Sequence, residues 1–291
     1  MQSKTQNSKK TDHGFYRMKN NDTPDFRAIQ TNPAIGDRGL IHVYGSDPAS
    51  PKPYILAIHG GGWRNGDQTS FAWIWARVHA LGVALVLPSH RLTPEFRFPH
   101  AYEDLVHVLA WLRDHGSSEG LDPGRCLLFG SSAGGHWSML LATRAMKEDL
   151  PMPCIRGVVN YCGVMDMPSQ YAFDIERKTT MVNDFMGATP ESDPALYRDA
   201  SPIYHIHERM PPVWMAHGST DGAVPVAQSR EMVRALRAAG YDPIYLEARN
   251  VGHTMIEITP DGKILKPQKL LFEEDLLRFI GRHLFQSHPT G

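Results

Sequence analysis

Short apolar runs recur along this chain, each separated from the next by a stretch with helical periodicity, and that alternation most constrains its fold. The runs fall at 40–44, 54–59, 83–88, 125–130, 155–161, 213–218 and 243–248. Several are apolar throughout rather than alternating, the pattern of strands covered on both faces of a parallel sheet. Between them, 69–81, 101–115, 132–146, 226–239 and 268–284 space their apolar residues as helices do. Gly116 and Gly240 stand where two of these helices would stop. Strand and helix in this rhythm predict a three-layer α/β sheet with right-handed crossovers.

With 291 residues the chain has room for one large domain or two small ones. No internal repeat and no shift of composition marks a boundary. Residues 1–35 are polar and read as a flexible N-terminal segment, in which only Phe15 and Tyr16 offer a docking point. Residues 163–210, rich in Met, Pro, Asp and Tyr, separate two strands by far more than the ~2–6 residues usual in such loops. This stretch reads as a compact insertion over one end of the sheet, padding an edge or forming part of a substrate pocket.

Thirty Lys and Arg stand against 31 Asp and Glu, for a net charge of −1. That balance carries no footprint for nucleic acid or an anionic membrane. No run approaches a membrane span and no secretory signal is visible, so a cytoplasmic protein is expected. Cys126, Cys154 and Cys162 are too few and odd in number for a disulfide framework, and read as free thiols.

The pattern G-x-S-x-G occurs twice, centred on Ser118 and Ser132. A nucleophile elbow needs a strand ending at the first glycine and a helix starting at the serine. Ser118 follows a helix and precedes the turn Leu121-Asp122-Pro123, so it fails that test. Ser132 passes it, with Arg125-Cys126-Leu127-Leu128-Phe129 as strand and a helical pattern from Ala133 onward. Seated there, its hydroxyl stands at the C-terminal sheet edge and at a helix N-terminus that favours developing negative charge.

His59-Gly60-Gly61-Gly62-Trp63 follows another apolar run directly. Acyl transfer needs hydrogen-bond donors where a carbonyl oxygen becomes an oxyanion, and consecutive glycines let backbone N–H groups face that point unobstructed. Gly61, Gly62 and Ala133 are the expected donors, with His59 bracing the loop.

A serine nucleophile needs a base, and the base an orienting carboxylate. In chain order the base comes last. His136 is too close along its own helix, His205 and His207 lie in the insertion, and His217 sits within a strand end. His283 and His288 lie in or beyond the last helix. His253 follows the final strand at the correct edge and is the expected base. Asp221 follows the preceding strand and is the expected acid; Asp166, one strand earlier, is its rival, and Asp242 lies at the wrong end. A site drawn from positions 132, 221 and 253 needs one continuous sheet, which favours a single domain over 36–291.

The segments around His59, Ser132, Asp221 and His253, together with Phe98-Pro99-His100-Ala101-Tyr102-Glu103-Asp104, resemble the α/β-hydrolase superfamily. More narrowly they resemble the carboxylesterase group of hormone-sensitive-lipase-like enzymes and acetylxylan/feruloyl esterases. The resemblance runs from about residue 40 to 284. It implies an eight-stranded, mostly parallel sheet and cofactor-free hydrolysis of small, short-acyl esters through an acyl-enzyme. The glycine loop followed by Trp is similar also to kynurenine formamidases, which would act on a formyl amide. A non-catalytic ligand-binding member of the same fold is the alternative from another class.

Trp63 and Met255, next to the expected catalytic positions, are candidate pocket residues. Trp137 reads as core packing. His205-x-His207 lacks a suitably spaced third ligand, so no metal is expected. A small ester is the expected partner; the sequence says nothing of oligomeric state.

Overall fold

A computed structural model of the protein describes residues 25–257, 259 and 269–286. Eight strands form one sheet: β1 (Phe26–Gln30), β2 (Leu40–Tyr44), β3 (Lys52–Ile58), β4 (Ala84–Pro88), β5 (Leu121–Ser131), β6 (Ile155–Tyr161), β7 (Val213–Gly218) and β8 (Ile244–Ala248). Their spatial order is β1-β2-β4-β3-β5-β6-β7-β8. β2 runs antiparallel to β1 and β4, and every pairing from β4 across to β8 is parallel. All seven apolar runs are strands, their ends differing from the sequence reading by a few residues. The largest difference is at β5, which begins at Leu121.

The eighth strand falls inside the 1–35 segment read as flexible, and corrects that reading over Phe26–Gln30 alone. Phe26–Gln30 pairs residue by residue with β2, from Phe26 opposite Tyr44 to Gln30 opposite Leu40. As an edge strand it is largely exposed, so hydrophobic patterning does not betray it. The ring of Phe26 stacks on His42, with centroids 4.0 Å apart, and Arg27 binds Glu119. Phe15 and Tyr16 lie outside the described residues.

Two apolar layers sandwich the sheet. On one face pack α2 (His100–His115), α3 (Ala133–Leu140) and α7 (Ala227–Ala238). They contribute Leu105, Leu109, Leu112, Trp137, Met232 and Leu236 to a core shared with Leu56 and Leu128. On the other face α8 (Glu273–Phe285) buries Leu276, Phe279, Ile280 and Leu284 against Ile55, Leu127 and Trp214. Spacings of three and four residues put these side chains on one stripe of each helix.

Two expected helices take other forms. Over 69–81 only α1 (Trp75–Val78) is α-helical, flanked by tight 3-10 turns, and the stretch ends at Gly82 with φ +73°. The clustered rings Phe71, Trp73 and Trp75 lose rotamer freedom in a helix, which weakens its continuation. The helix after Ser132 is α3, continued by a wider π-type turn over Leu141–Ala145. There the Thr143 hydroxyl donates to the carbonyls of Met139 and Leu140.

The 163–210 insertion comprises α4 (Met167–Glu176), α5 (Met181–Met186), α6 (Pro194–Asp199) and a 3-10 turn at Pro202–His205. Asp166 and Asp193 cap α4 and α6 through their carboxylates.

Candidate active site

Parallel pairing brings the two glycine motifs together. Ile58 at the end of β3 sits in register with Gly130 near the end of β5, so the loop after one strand faces the turn after the other. The chain leaves β3 for β4 on one side, while β5 lies on the other. That is a topological switch point, where open α/β sheets form their clefts.

Ser132 occupies a strained turn between β5 and α3, with φ +57° and ψ −125°. Such backbone costs a non-glycine residue about 1–3 kcal/mol and persists only where its surroundings enforce it. Here the Ser132 N–H donates to Tyr161 O at 2.9 Å, and the His136 N–H donates to Ser132 O at 2.9 Å. A Cβ on Gly134 would lie 2.0 Å from the Ile58 carbonyl oxygen, so only glycine permits α3 to pack this closely on β3.

β7 and β8, in register from Trp214 opposite Ile244 to Gly218 opposite Ala248, deliver the other two groups. Asp221 follows β7 and His253 follows β8. His253 Nε2 is 2.9 Å from Ser132 Oγ, and its Nδ1 is 2.7 Å from Asp221 Oδ2. The second carboxylate oxygen of Asp221 accepts N–H bonds from Ala223 at 2.8 Å and Val224 at 2.9 Å.

Burial opposes ionisation of Asp221, but hydrogen bonds from His217 and His253 overcome it and hold the carboxyl well below the usual range. For His253, burial opposes the cation, yet the neighbouring Cys162 and Asp221 side chains outweigh it and raise the imidazole above its ordinary value. The side chain of Asp221 is fully buried, whereas that of His253 is 29% exposed. The expected serine, imidazole and carboxylate therefore lie in one hydrogen-bonded line.

The rejected candidates have structural partners. The Ser118 hydroxyl donates to the His115 carbonyl in an exposed turn. Asp166 caps α4. The Nε2 of His205 meets the carbonyls of Arg198 and Asp199, and that of His207 meets Ala142 O. His283 lies on α8 with its ring 4.5 Å from that of Phe279; His288 lies outside the described residues.

In the glycine loop, Gly61 has φ +114° and Gly62 φ +58°. His59 Nδ1 is 2.8 Å from Gly60 O, and its ring stacks on His90 at 4.5 Å, bracing the loop as expected. Burial pushes the His59 imidazole down to about 4.

Trp63 and Met255, the expected pocket residues, are both buried. Trp63 is 4% exposed, stacks on Phe185 with centroids 4.5 Å apart, and donates its indole N–H to His136 Nδ1 at 3.1 Å. Its surface is consumed in holding α5 to the loop. Met255 is 7% exposed and packs with the apolar side chains of α8. Trp137 is fully buried, as expected.

Sequence spacing missed two neighbours. His217 Nε2 lies 3.2 Å from Asp221 Oδ2, and its Nδ1 is 2.7 Å from Ser229 Oγ. Met181, at the start of α5, sets its sulfur so close to Gly62 that a Cβ there would stand 2.5 Å away. The pairing of Arg64 with Asp184 at 2.6 Å adds a polar link between loop and insertion.

This sheet, with a strained serine turn at its switch point, defines an α/β-hydrolase. Residues 42–236 match the BD-FAE family, and the chain belongs to that family. Esterase LipC of Mycobacterium tuberculosis (strain ATCC 25618 / H37Rv) is 28% identical over 247 residues, covering 76% of this chain and 61% of its own length. Esterase LipQ of the same strain is 28% identical over 214 residues, covering 71% and 51%. The chain thus spans between half and two thirds of the length of these relatives. A truncated carbohydrate esterase from gut microbiota superposes with a TM-score of 0.74 at 19% identity, over 91% of this chain and 98% of that one. No helix among the described residues is long and apolar enough to cross a membrane.

Proposed function

We propose that the protein is a serine carboxylesterase acting on small esters with short acyl groups. The observation that carries the reading is the continuous line from Ser132 Oγ through the His253 imidazole to Asp221, with contacts of 2.9 and 2.7 Å. In this reading Ser132 attacks the ester carbonyl while His253 Nε2 takes its proton. His253 then gives that proton to the departing alcohol, leaving an acyl group on Ser132. Water activated by the same imidazole releases the acid. Asp221 keeps Nδ1 protonated and steadies the imidazolium. Gly61, Gly62 and Ala133 supply backbone N–H groups to the oxyanion.

The names of LipC and LipQ as esterases support the ester chemistry. The thioether of Met181 against Gly62 supports a short acyl limit, because it fills space beside the expected oxyanion donors. We read the residues from β1 onward as one catalytic domain, since all eight strands share a sheet. A reducing compartment is consistent with three unpaired cysteines.

A fluorophosphonate probe combined with a substrate panel tests the proposal. Expected is a single adduct on Ser132, loss of p-nitrophenyl acetate turnover in Ser132→Ala, and near wild-type turnover in Ser118→Ala. Preference for N-formylkynurenine over acetyl and butyryl esters would move the reading to a formamidase. Absence of any adduct would overturn it.

A further inference from the structure

Cys162 has no part in the reaction just described, yet it lies at its centre. It follows β6, the strand between the one that carries Ser132 and the one that leads to Asp221. Its N–H donates to Ala216 O at 2.9 Å, its φ is +42°, and it is 1% exposed. The thiol is 3.7 Å from Ser131 Oγ. That anchoring fixes the sulfur against the His253 side chain. The Cys162 sulfur, an imidazole nitrogen of His253 and a carboxylate oxygen of Asp221 all lie within 4.8 Å of one another.

We propose that Cys162, His253 and Asp221 form a binding site for a thiophilic divalent cation, with Zn2+ as its representative, and that occupancy switches the enzyme off. The donor set of one sulfur, one nitrogen and one oxygen suits Zn2+ or Cd2+, and does not suit Mg2+ or Ca2+, which take oxygen ligands. Bond lengths of about 2.0–2.3 Å put tetrahedral donors roughly 3.3–3.8 Å apart, so side-chain shifts of about 1 Å close the site. Three protein donors leave a fourth position for water. Binding breaks the S–H bond, forms the metal–sulfur bond and releases the proton to solvent. The ion enters past His253, the exposed member of the three.

Inhibition follows from competition for the same atoms. His253 uses Nδ1 on Asp221 and Nε2 on Ser132. A metal on Nδ1 takes the place of the proton shared with Asp221, and a metal on Nε2 takes the place of the serine proton. Either way the relay is interrupted. This consequence rests on the catalytic reading above, whereas the metal site itself rests only on the donor geometry.

The test measures binding and turnover separately on untagged protein stripped with EDTA. Zn2+ is titrated by calorimetry and by competition with a chromogenic chelator, alongside p-nitrophenyl acetate hydrolysis. Each variant is normalised to its own metal-free rate. Wild type and Cys154→Ala, which removes the exposed thiol, are expected to bind one Zn2+ per chain at the site and to be inhibited by it, with EDTA restoring turnover. Cys162→Ala and the near-isosteric Cys162→Ser are expected to lose that equivalent, and to need at least tenfold more Zn2+ for half-inhibition. Equal binding in wild type and both Cys162 variants overturns the proposal, as does no binding by wild type. Binding through Cys162 with unimpaired hydrolysis upholds the metal site and instead overturns the catalytic roles given to His253 and Asp221.

Discussion

His217 reaches the same carboxylate oxygen of Asp221 that His253 uses, 3.2 Å away against 2.7 Å. His217 is 1% exposed and its Nε2 also meets Val224 O at 2.9 Å, while Ser229 Oγ lies 2.7 Å from Nδ1. The Val224 carbonyl can only accept, so Nε2 carries the N–H shared with Val224 and Asp221, and Nδ1 accepts from the Ser229 hydroxyl. The acid is held by two histidines and two backbone amides, which locks its rotamer facing His253.

That arrangement predicts a kinetic cost when His217 is removed. Hydrogen bonds to a charged group contribute about 1.5–3 kcal/mol, so His217→Gln should lower kcat about tenfold or more with KM little changed. Ser229→Ala should show a smaller loss in the same parameter. Steady-state kinetics on both variants checks this; an unchanged kcat in His217→Gln would remove the residue from any positioning role.

The insertion is held to the glycine loop by aromatic packing more than by charge. Phe185 is 1% exposed and lies within 4.5 Å of Trp63, 5.9 Å of Phe98 and 5.5 Å of Trp137, by ring centroids. Truncating such a ring costs about 3–5 kcal/mol. Arg64 and Asp184 are 36% and 37% exposed, and half-exposed pairs of this kind contribute under about 1 kcal/mol. Urea denaturation should therefore rank Phe185→Ala far below Asp184→Ala. Equal losses would contradict this division of labour.

Met181 should limit acyl length. Replacing it with alanine opens space beside Gly62, and each additional buried methylene is worth about 0.8 kcal/mol, or roughly fourfold in kcat/KM. The ratio of butyrate to acetate turnover in Met181→Ala should rise by several-fold over wild type. A ratio that stays the same would place the acyl chain elsewhere.

Acid should destabilise the fold through its buried imidazoles. Burial lowers His59 to about 4 and His136 to about 3, and drives His90 well below its ordinary value. These histidines stay neutral in the folded chain, so their stabilisation is complete above the unfolded value near 6.5. It falls as pH drops toward the folded values, because the unfolded chain then binds more protons. Near pH 5, three extra protons give a slope of about 4 kcal/mol per pH unit from these groups. Denaturant midpoints between pH 7 and pH 4.5 should show this decline, and His136→Gln should reduce its slope by about a third. A flat profile would refute it.

What could be read from the sequence was local chemistry. The glycines of the serine turn and the His59 loop announce themselves because backbone conformations that exclude a Cβ leave glycine in the sequence. Asp221 and His253 could be found because each follows a strand at the same sheet edge. β1 was hidden, since Phe-Arg-Ala-Ile-Gln on an exposed edge carries no burial pattern. The burial of Trp63 and Met255 was not legible, because nearness along the chain does not decide which way a side chain faces. The approaches of Met181, His217 and Cys162 depend on distant segments converging. Only the position of Tyr161-Cys162-Gly163 at the end of β6, between the serine and acid strands, hinted at the last of them.

The insertion hangs between β6 and β7 yet closes on the loop after β3, and it shares no strand pairing with the sheet that aligns Ser132, His253 and Asp221. Its side chains enter the same apolar core as α2 and α3. The Ala200 carbonyl meets His136 Nε2 at 2.7 Å while His136 Nδ1 accepts from Trp63, so a change in the insertion reaches the glycine loop without altering any strand register.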